Sequence, residues 1–270
     1  MCRMIGCFSQ SPVDLNYPLL DAPYALIRQS KQDRAGKTHR DGWGIACWNG
    51  DFAPLVQKNF EPAFDDVVFG EKSSHLRAPV WIAHVRAASS GNVRLENTHP
   101  FHYGSWAWAH NGTIIKPLDL LSEIIMDNVA PDFRELRRGS TDSELCFLLF
   151  LTELFRRSDG DFANPPMEII TSSMRAVVNF LYTITTPLKQ NPPTMNFMTS
   201  NGKILVATRW GKSLWSLQST RKNESDGNMN SSAVYVASEP FDDDDWTEAP
   251  DHSLVTIDEH GILKVVALEN

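Results

Sequence analysis

The chain has no basic excess, no long apolar run and no paired-cysteine motif. Its 25 lysines and arginines stand against 33 aspartates and glutamates, a formal charge of −8. No basic stripe is present, so nucleic acid is not expected as a partner. The longest apolar run is LCFLLFL (145–151), too short to span a bilayer, and no membrane partner is expected. No charged segment followed by an apolar one opens the chain, so no secretory signal is read. The expected location is the cytoplasm. The four cysteines are Cys2, Cys7, Cys47 and Cys146, and none forms a C-x-x-C pair. That argues against zinc, and a cytosolic setting argues against a disulfide. Cys7, Cys47 and Cys146 are expected to be buried apolar filler. No Gly/Ser- or Pro-rich linker and no repeat divides the sequence.

The composition that remains is that of an ordinary globular protein, and 270 residues suffice for one large domain. CRMIGCFS (2–9), PVWIAHVRA (79–87) and the alternating SWAWAHNG (105–112) read as strands. GIACWNGDFAPLV (44–56) reads as a hairpin, with Asn49-Gly50 as a type I′ turn. Thr141 stands three residues before Glu144, ahead of LCFLLFLTELF, which is a capping-box signature for a helix. A second helix is expected over 167–185. Strands then return on both sides of Asn201-Gly202 and run to the end in SLWSL, AVYVASEPF, SLVTID and ILKVVAL. Residues 219–232 read as a surface loop. Strands, then helices, then strands imply an α+β fold of two sheets with helices packed outside.

Five short stretches carry polar chemistry at strand ends: Cys2, DGWG (41–44), HVRAASSG (84–91) with NTHPF (97–101), AHNG (109–112) and STDSE (140–144). Cys2 is either a strand residue of no consequence or, with Met1 removed, a nucleophile. A thiol needs a base, and a free α-amine on the same residue titrates near 7.7–8.0, close to the working pH. Asn111 and Gly112 are either a tight turn or a pair of donors for an oxyanion. Arg86, at the end of an apolar strand, calls for a carboxylate, the substrate's or the protein's own. Asp142 suits the helix dipole and also suits an ammonium ion. His99 either hydrogen-bonds within the site or supports a turn before Pro100, the reading favoured here. The DDDD run (242–245) reads as a solvated acidic loop, not a metal site. His39, His75 and His102 have no ligand-like spacing, and no metal or cofactor is expected.

Taken in order, Cys2 after Met1, HVRAASSG with NTHPF, HNG and TDSE resemble the class II glutamine amidotransferases, which carry an N-terminal nucleophile. HRDGWG (39–44), ENTHPF (96–101) and VYVASEPFDDDDW (234–246) resemble the stand-alone subgroup. The resemblance implies one domain over residues 2–270, with Met1 removed, folded as a four-layer αββα sandwich. It implies that Cys2 attacks the γ-carboxamide of glutamine, giving a γ-glutamyl thioester and ammonia. Asn111 and Gly112 would form the oxyanion hole, Arg86 would hold the α-carboxylate and Asp142 the α-ammonium. Ser89 and Gly91 fall in the loop lining the glutamine pocket, and His99 joins the substrate-binding set. Ala87 and Ser90 depart from the family, where a bulky aromatic and a histidine are common. No second domain is expected to receive ammonia. Either a separate synthase partner supplies the acceptor, or the chain is a hydrolase; some stand-alone relatives cleave γ-glutamyl bonds in thiol-containing peptides. A non-catalytic glutamine-binding module is the competing class.

Overall fold

Period-two alternation in the strands produces two antiparallel sheets. The computed structural model describes residues 2–50, 52–114, 119–160, 162–188, 191–220 and 232–268. The first sheet has seven strands, in the order β11 (Thr247–Glu248), β9 (Trp215–Ser219), β10 (Ala233–Ala237), β1 (Arg3–Asp14), β4 (Arg77–Val85), β2 (Trp43–Trp48) and β3 (Leu55–Asn59). The second has six: β13 (Leu263–Ala267), β12 (Ser253–Ile257), β8 (Leu205–Arg209), β7 (Thr194–Ser200), β6 (Trp106–Thr113) and β5 (Phe101–Tyr103). The helices are α1 (Leu26–Lys31), α2 (Val67–His75), α3 (Asp119–Asn128), α4 (Pro131–Arg134), α5 (Asp142–Arg157) and α6 (Met167–Thr185).

Three apolar layers fix their arrangement. Met4, Phe8, Val80, Ile82 and Val236 of the first sheet pack against Ala107, Ala109, Met198, Ala207 and Val255 of the second. The opposite faces carry the other parity. Ile5, Cys7, Trp81 and Ala83 pack under Leu26 of α1 and Phe69 of α2, while Trp106, Trp108 and Phe197 pack under α5 and α6. The layers are therefore helix, sheet, sheet, helix, as the resemblance implied. Inward-facing residues alternate with outward ones along each strand, and this parity decides what faces the site.

Several expectations meet the structure directly. The helix over 167–185 is α6, whose Ile170, Met174, Val177, Val178 and Leu181 form one buried stripe. Cys7, Cys47 and Cys146 are buried and unbridged. Burial pushes the Cys47 thiol up to about 12 and raises Cys7 and Cys146 as well. The hairpin turns are longer than a two-residue type I′ connection. Pairing of β2 with β3 ends at Cys47↔Leu55, and pairing of β7 with β8 ends at Ser200↔Leu205. The first strand runs on to Asp14 because an irregularity between Phe8 and Val13 absorbs a register shift against β4. The acidic run is not wholly solvated: Asp242 is buried and accepts from Trp246 Nε1 at 2.8 Å. The 219–232 expectation lies mostly outside the described residues. No described helix is long and apolar enough to cross a membrane.

Candidate active site

Parity places the predicted residues on one face. Cys2 continues the inward parity of Met4 and Phe8, Arg86 that of Val80, Ile82 and His84, and Asn111 that of Ala107 and Ala109. These strand ends meet at one end of the gap between the sheets. Arg3 pairs with Val85, and His84 Nε2 lies 3.3 Å from the His110 carbonyl across the gap.

Cys2 is buried, with Sγ 3.7 Å from the Ala87 carbonyl oxygen. Burial raises its pKa, while Arg86 pulls the other way. At neutral pH this is a thiol that needs a base. Arg86 is buried and donates to three backbone carbonyls: Ser90 at 2.8 Å, Asn92 at 3.2 Å and Gly91 at 3.3 Å. No carboxylate of the protein lies within ion-pair distance of Arg86 among the described residues; the guanidinium organises its own loop. That loop is tied at two further points. Ser90 Oγ donates to Asp142 at 2.8 Å, and Thr113 Oγ1 donates to Ser89 Oγ at 2.9 Å. Gly91 has φ +68°, and a Cβ there would fall 2.8 Å from Asn97 Nδ2, so the turn requires glycine.

Asp142 is the first residue of α5 and is buried. Besides Ser90, its carboxylate accepts from Ile114 N at 2.9 Å and Ser143 N at 3.0 Å. Thr141 caps the helix by accepting from Glu144 N at 3.2 Å. The reciprocal half of the expected capping box is replaced: Glu144 accepts from Arg138 N and Gly139 N, each at 2.8 Å. Asn111 Nδ2 donates to Ser238 Oγ at 3.2 Å, while its buried Oδ1 has no partner among the described residues. Gly112 lies where a Cβ would fall 2.0 Å from the Thr194 carbonyl oxygen, so no larger residue fits this strand. His99 is buried against His84 (ring centroids 4.1 Å apart) and Phe101 (4.8 Å). Neither of its ring nitrogens finds a partner among the described residues, and burial holds it well below the usual histidine range.

A family model for the class II glutamine amidotransferases matches residues 1–269. The chain belongs to that family. Among relatives, it is similar to a probable glutamine amidotransferase, DUG3, of Saccharomyces cerevisiae, at 27% identity over 97% of this chain and 83% of that one. It is also similar to a gamma-glutamyl-hercynylcysteine sulfoxide hydrolase of Mycobacterium tuberculosis, at 28% identity over 97% and 95%. A solved class-II domain protein from Silicibacter pomeroyi shares its fold, with a TM-score of 0.67, 19% identity, and 98% and 99% of the two chains covered. The glutamine PRPP amidotransferase of B. subtilis aligns with a TM-score of 0.64 at 18% identity, over 99% of this chain and 49% of its own. These likenesses place the two-sheet architecture among the N-terminal nucleophile type amidotransferases.

Two groups in this class II chain escaped the sequence reading. Ser238 continues the inward parity of Val234 and Val236 on β10. Its Oγ accepts from Met4 N at 3.1 Å as well as from Asn111. The alternation in VYVAS was the available signal. The second group is a buried ionic network behind Cys2. Arg3 donates to the Cys2 carbonyl at 2.8 Å, to Asp33 at 2.6 Å and to Glu239 at 2.5 Å. His39 Nε2 lies 3.0 Å from Asp33. Burial, with Arg3 nearby, lowers His39 to about 4, so the ring is neutral. Burial alone would raise Asp33, but the Lys37 N–H, Arg3 and His39 together hold it below the carboxylate range. No group of described residues is arranged to hold a metal ion.

Proposed function

We propose that this chain hydrolyses a γ-glutamyl amide through Cys2. The observation that carries the reading is the convergence, at one end of the intersheet gap, of the Cys2 thiol just before β1, the Arg86 guanidinium just after β4, the Asn111 amide of β6 and the Ser238 hydroxyl just after β10, with Asp142 closing it from α5. With Met1 removed, the Cys2 α-amine takes the thiol proton as Sγ adds to the γ-carbonyl carbon. The oxyanion is met by the Asn111 amide and the Gly112 N–H. Collapse breaks the C–N bond, the proton passes to the leaving nitrogen, and ammonia or an amine departs. Water then cleaves the thioester, releasing glutamate and restoring the thiol.

The substrate's charges have waiting partners. Arg86 commits three of its donors to the loop, and a guanidinium has five; the rest face an α-carboxylate. Asp142 accepts three bonds, and a carboxylate has about four acceptor positions; the remaining one takes the α-ammonium. Ser89 lines the pocket, and His99 supports it from behind. Asn111 completes the oxyanion hole by a half-turn of its amide. Ser238 then donates to Oδ1, and Nδ2 takes the position that is now unpartnered.

A γ-glutamyl peptide is the second reading. It is favoured by the small Ala87 and Ser90 at the pocket loop and by the Mycobacterium relative, whose name is that of a γ-glutamyl compound hydrolase. A separate synthase partner receiving ammonia is the alternative outcome for the leaving group. Intact mass before and after treatment with a diazo-ketone analogue of glutamine tests the chemistry. The expected result is a chain lacking Met1 that gains one adduct, with none on Cys2→Ala. A processed chain that stays unlabelled and turns over neither glutamine nor a γ-glutamyl peptide overturns the Cys2 scheme. Comparing kcat/KM for glutamine and γ-glutamyl peptides then separates the two substrates.

A further inference from the structure

A second cavity, of about 330 Å³, opens between the edge strands β3 and β5 and the first turns of α5. It lies at the small end of the range that small-molecule sites occupy, roughly 300–1,000 Å³. Its walls are aromatic and aliphatic, with Phe101, Tyr103 and Phe147 among them, and four charged side chains line it: Lys58, Arg138, Glu144 and, paired at 3.7 Å with Arg94 at the rim, Glu96. Lys58 is half-buried, and its ammonium makes one hydrogen bond, to the Thr98 carbonyl at 3.0 Å, leaving donors over. No carboxylate lies within ion-pair distance of Lys58 or Arg138 among the described residues. Glu144 is buried, held by two backbone N–H groups, and retains acceptor capacity. Burial disfavours the charge on both Lys58 and Glu144, and each feels the other's field. Opposite charges thus line one apolar cavity without closing on each other.

We propose that this cavity is a ligand site for a small zwitterion with an apolar or aromatic body, of the free α-amino acid class. Its carboxylate meets Lys58 and Arg138, its ammonium meets Glu144, and its body packs on the aromatic wall. A simple anion or a simple cation satisfies only one side. The site is independent of the Cys2 chemistry, because it requires no turnover. It adjoins the catalytic loop, however. Asn97, next to the wall residue Glu96, accepts from Ser140 N and donates to the Asn92 carbonyl that Arg86 also holds.

Titration calorimetry on the full chain, with phenylalanine, 3-phenylpropionate and phenethylamine as probes, tests this. Saturable phenylalanine binding is expected, with both singly charged probes at least tenfold weaker. Lys58→Met should weaken phenylalanine at least tenfold. If that chain fails to fold, Arg138→Gln, at an exposed side chain, should weaken it in the same direction. The proposal is overturned by absence of saturable binding at millimolar phenylalanine, by a singly charged probe binding as tightly as the zwitterion, or by unchanged affinity in the folded variant.

Discussion

At the scale of single residues, the site turns on which donors remain uncommitted. Ser238 Oγ already accepts from Met4 N and from Asn111 Nδ2, and a hydroxyl also has a proton to donate. In the proposed mechanism the Asn111 amide turns, and that proton would then reach Oδ1 and fix Nδ2 as the oxyanion donor. Ser238→Ala removes the fixing bond without touching substrate. We expect kcat to fall by about ten- to a hundredfold, less than the loss of a donor itself, with KM nearly unchanged and Ser238→Thr recovering most of the rate. A rise in KM at constant kcat would show instead that Ser238 shapes binding. Arg86→Lys should behave in the opposite way. A lysine cannot hold the Ser90, Gly91 and Asn92 carbonyls and a carboxylate together, so KM should rise more than kcat falls.

At the scale of elements, the first turn of α5 joins the most parts. Thr141 caps it, Asp142 ties it to Ile114 and Ser90, Ser143 Oγ lies 2.9 Å from His110 Nδ1, and Glu144 holds the Arg138–Gly139 backbone. Thr141→Ala should cost about 1 kcal/mol of stability, as cap losses do, read from urea unfolding. Because Asp142 rides on the same turn, KM for the substrate should rise as well. Lost stability with an unmoved KM would separate the cap from the positioning of Asp142. This element was legible because its signals are local: cap and apolar run lie within a few residues. The α6 stripe was legible for the same reason. The hairpin lengths were not. Gly202 is pressed so close to Trp48 that a Cβ would fall 2.5 Å from its ring, and that contact is invisible in an Asn-Gly dipeptide. The Arg3–Asp33–Glu239 network was hidden too, since its members are 30 and 236 positions apart and share no period. The site motifs could be read one by one; what sequence lacked was the discovery that Arg86 spends its donors on its own loop.

At the scale of the whole molecule, four histidines are interred: His39, His84, His99 and His110. Burial lowers all four, His39 to about 4 and His84 to about 3. His99 also faces His84, His110, Arg86 and Lys58, which disfavour a further positive charge. In the unfolded chain each titrates near 6.5. Between about pH 6.5 and 4 the unfolded state therefore binds protons that the folded state refuses. Stability is full above 6.5 and falls as the pH drops through that window. Glu144, raised by burial, takes up its proton more readily in the folded state and so opposes the trend. The melting temperature should hold above pH 6.5 and decline steadily towards pH 4. His99→Phe should make that decline shallower. Phenylalanine keeps a ring between His84 and Phe101, and because neither His99 nitrogen has a partner among the described residues, no hydrogen bond is lost. A melting temperature that stays level from pH 6.5 to 4, or a variant with the parent's slope, would mean that these rings accept protons within the fold, and the neutral packing behind the candidate site would have to be given up.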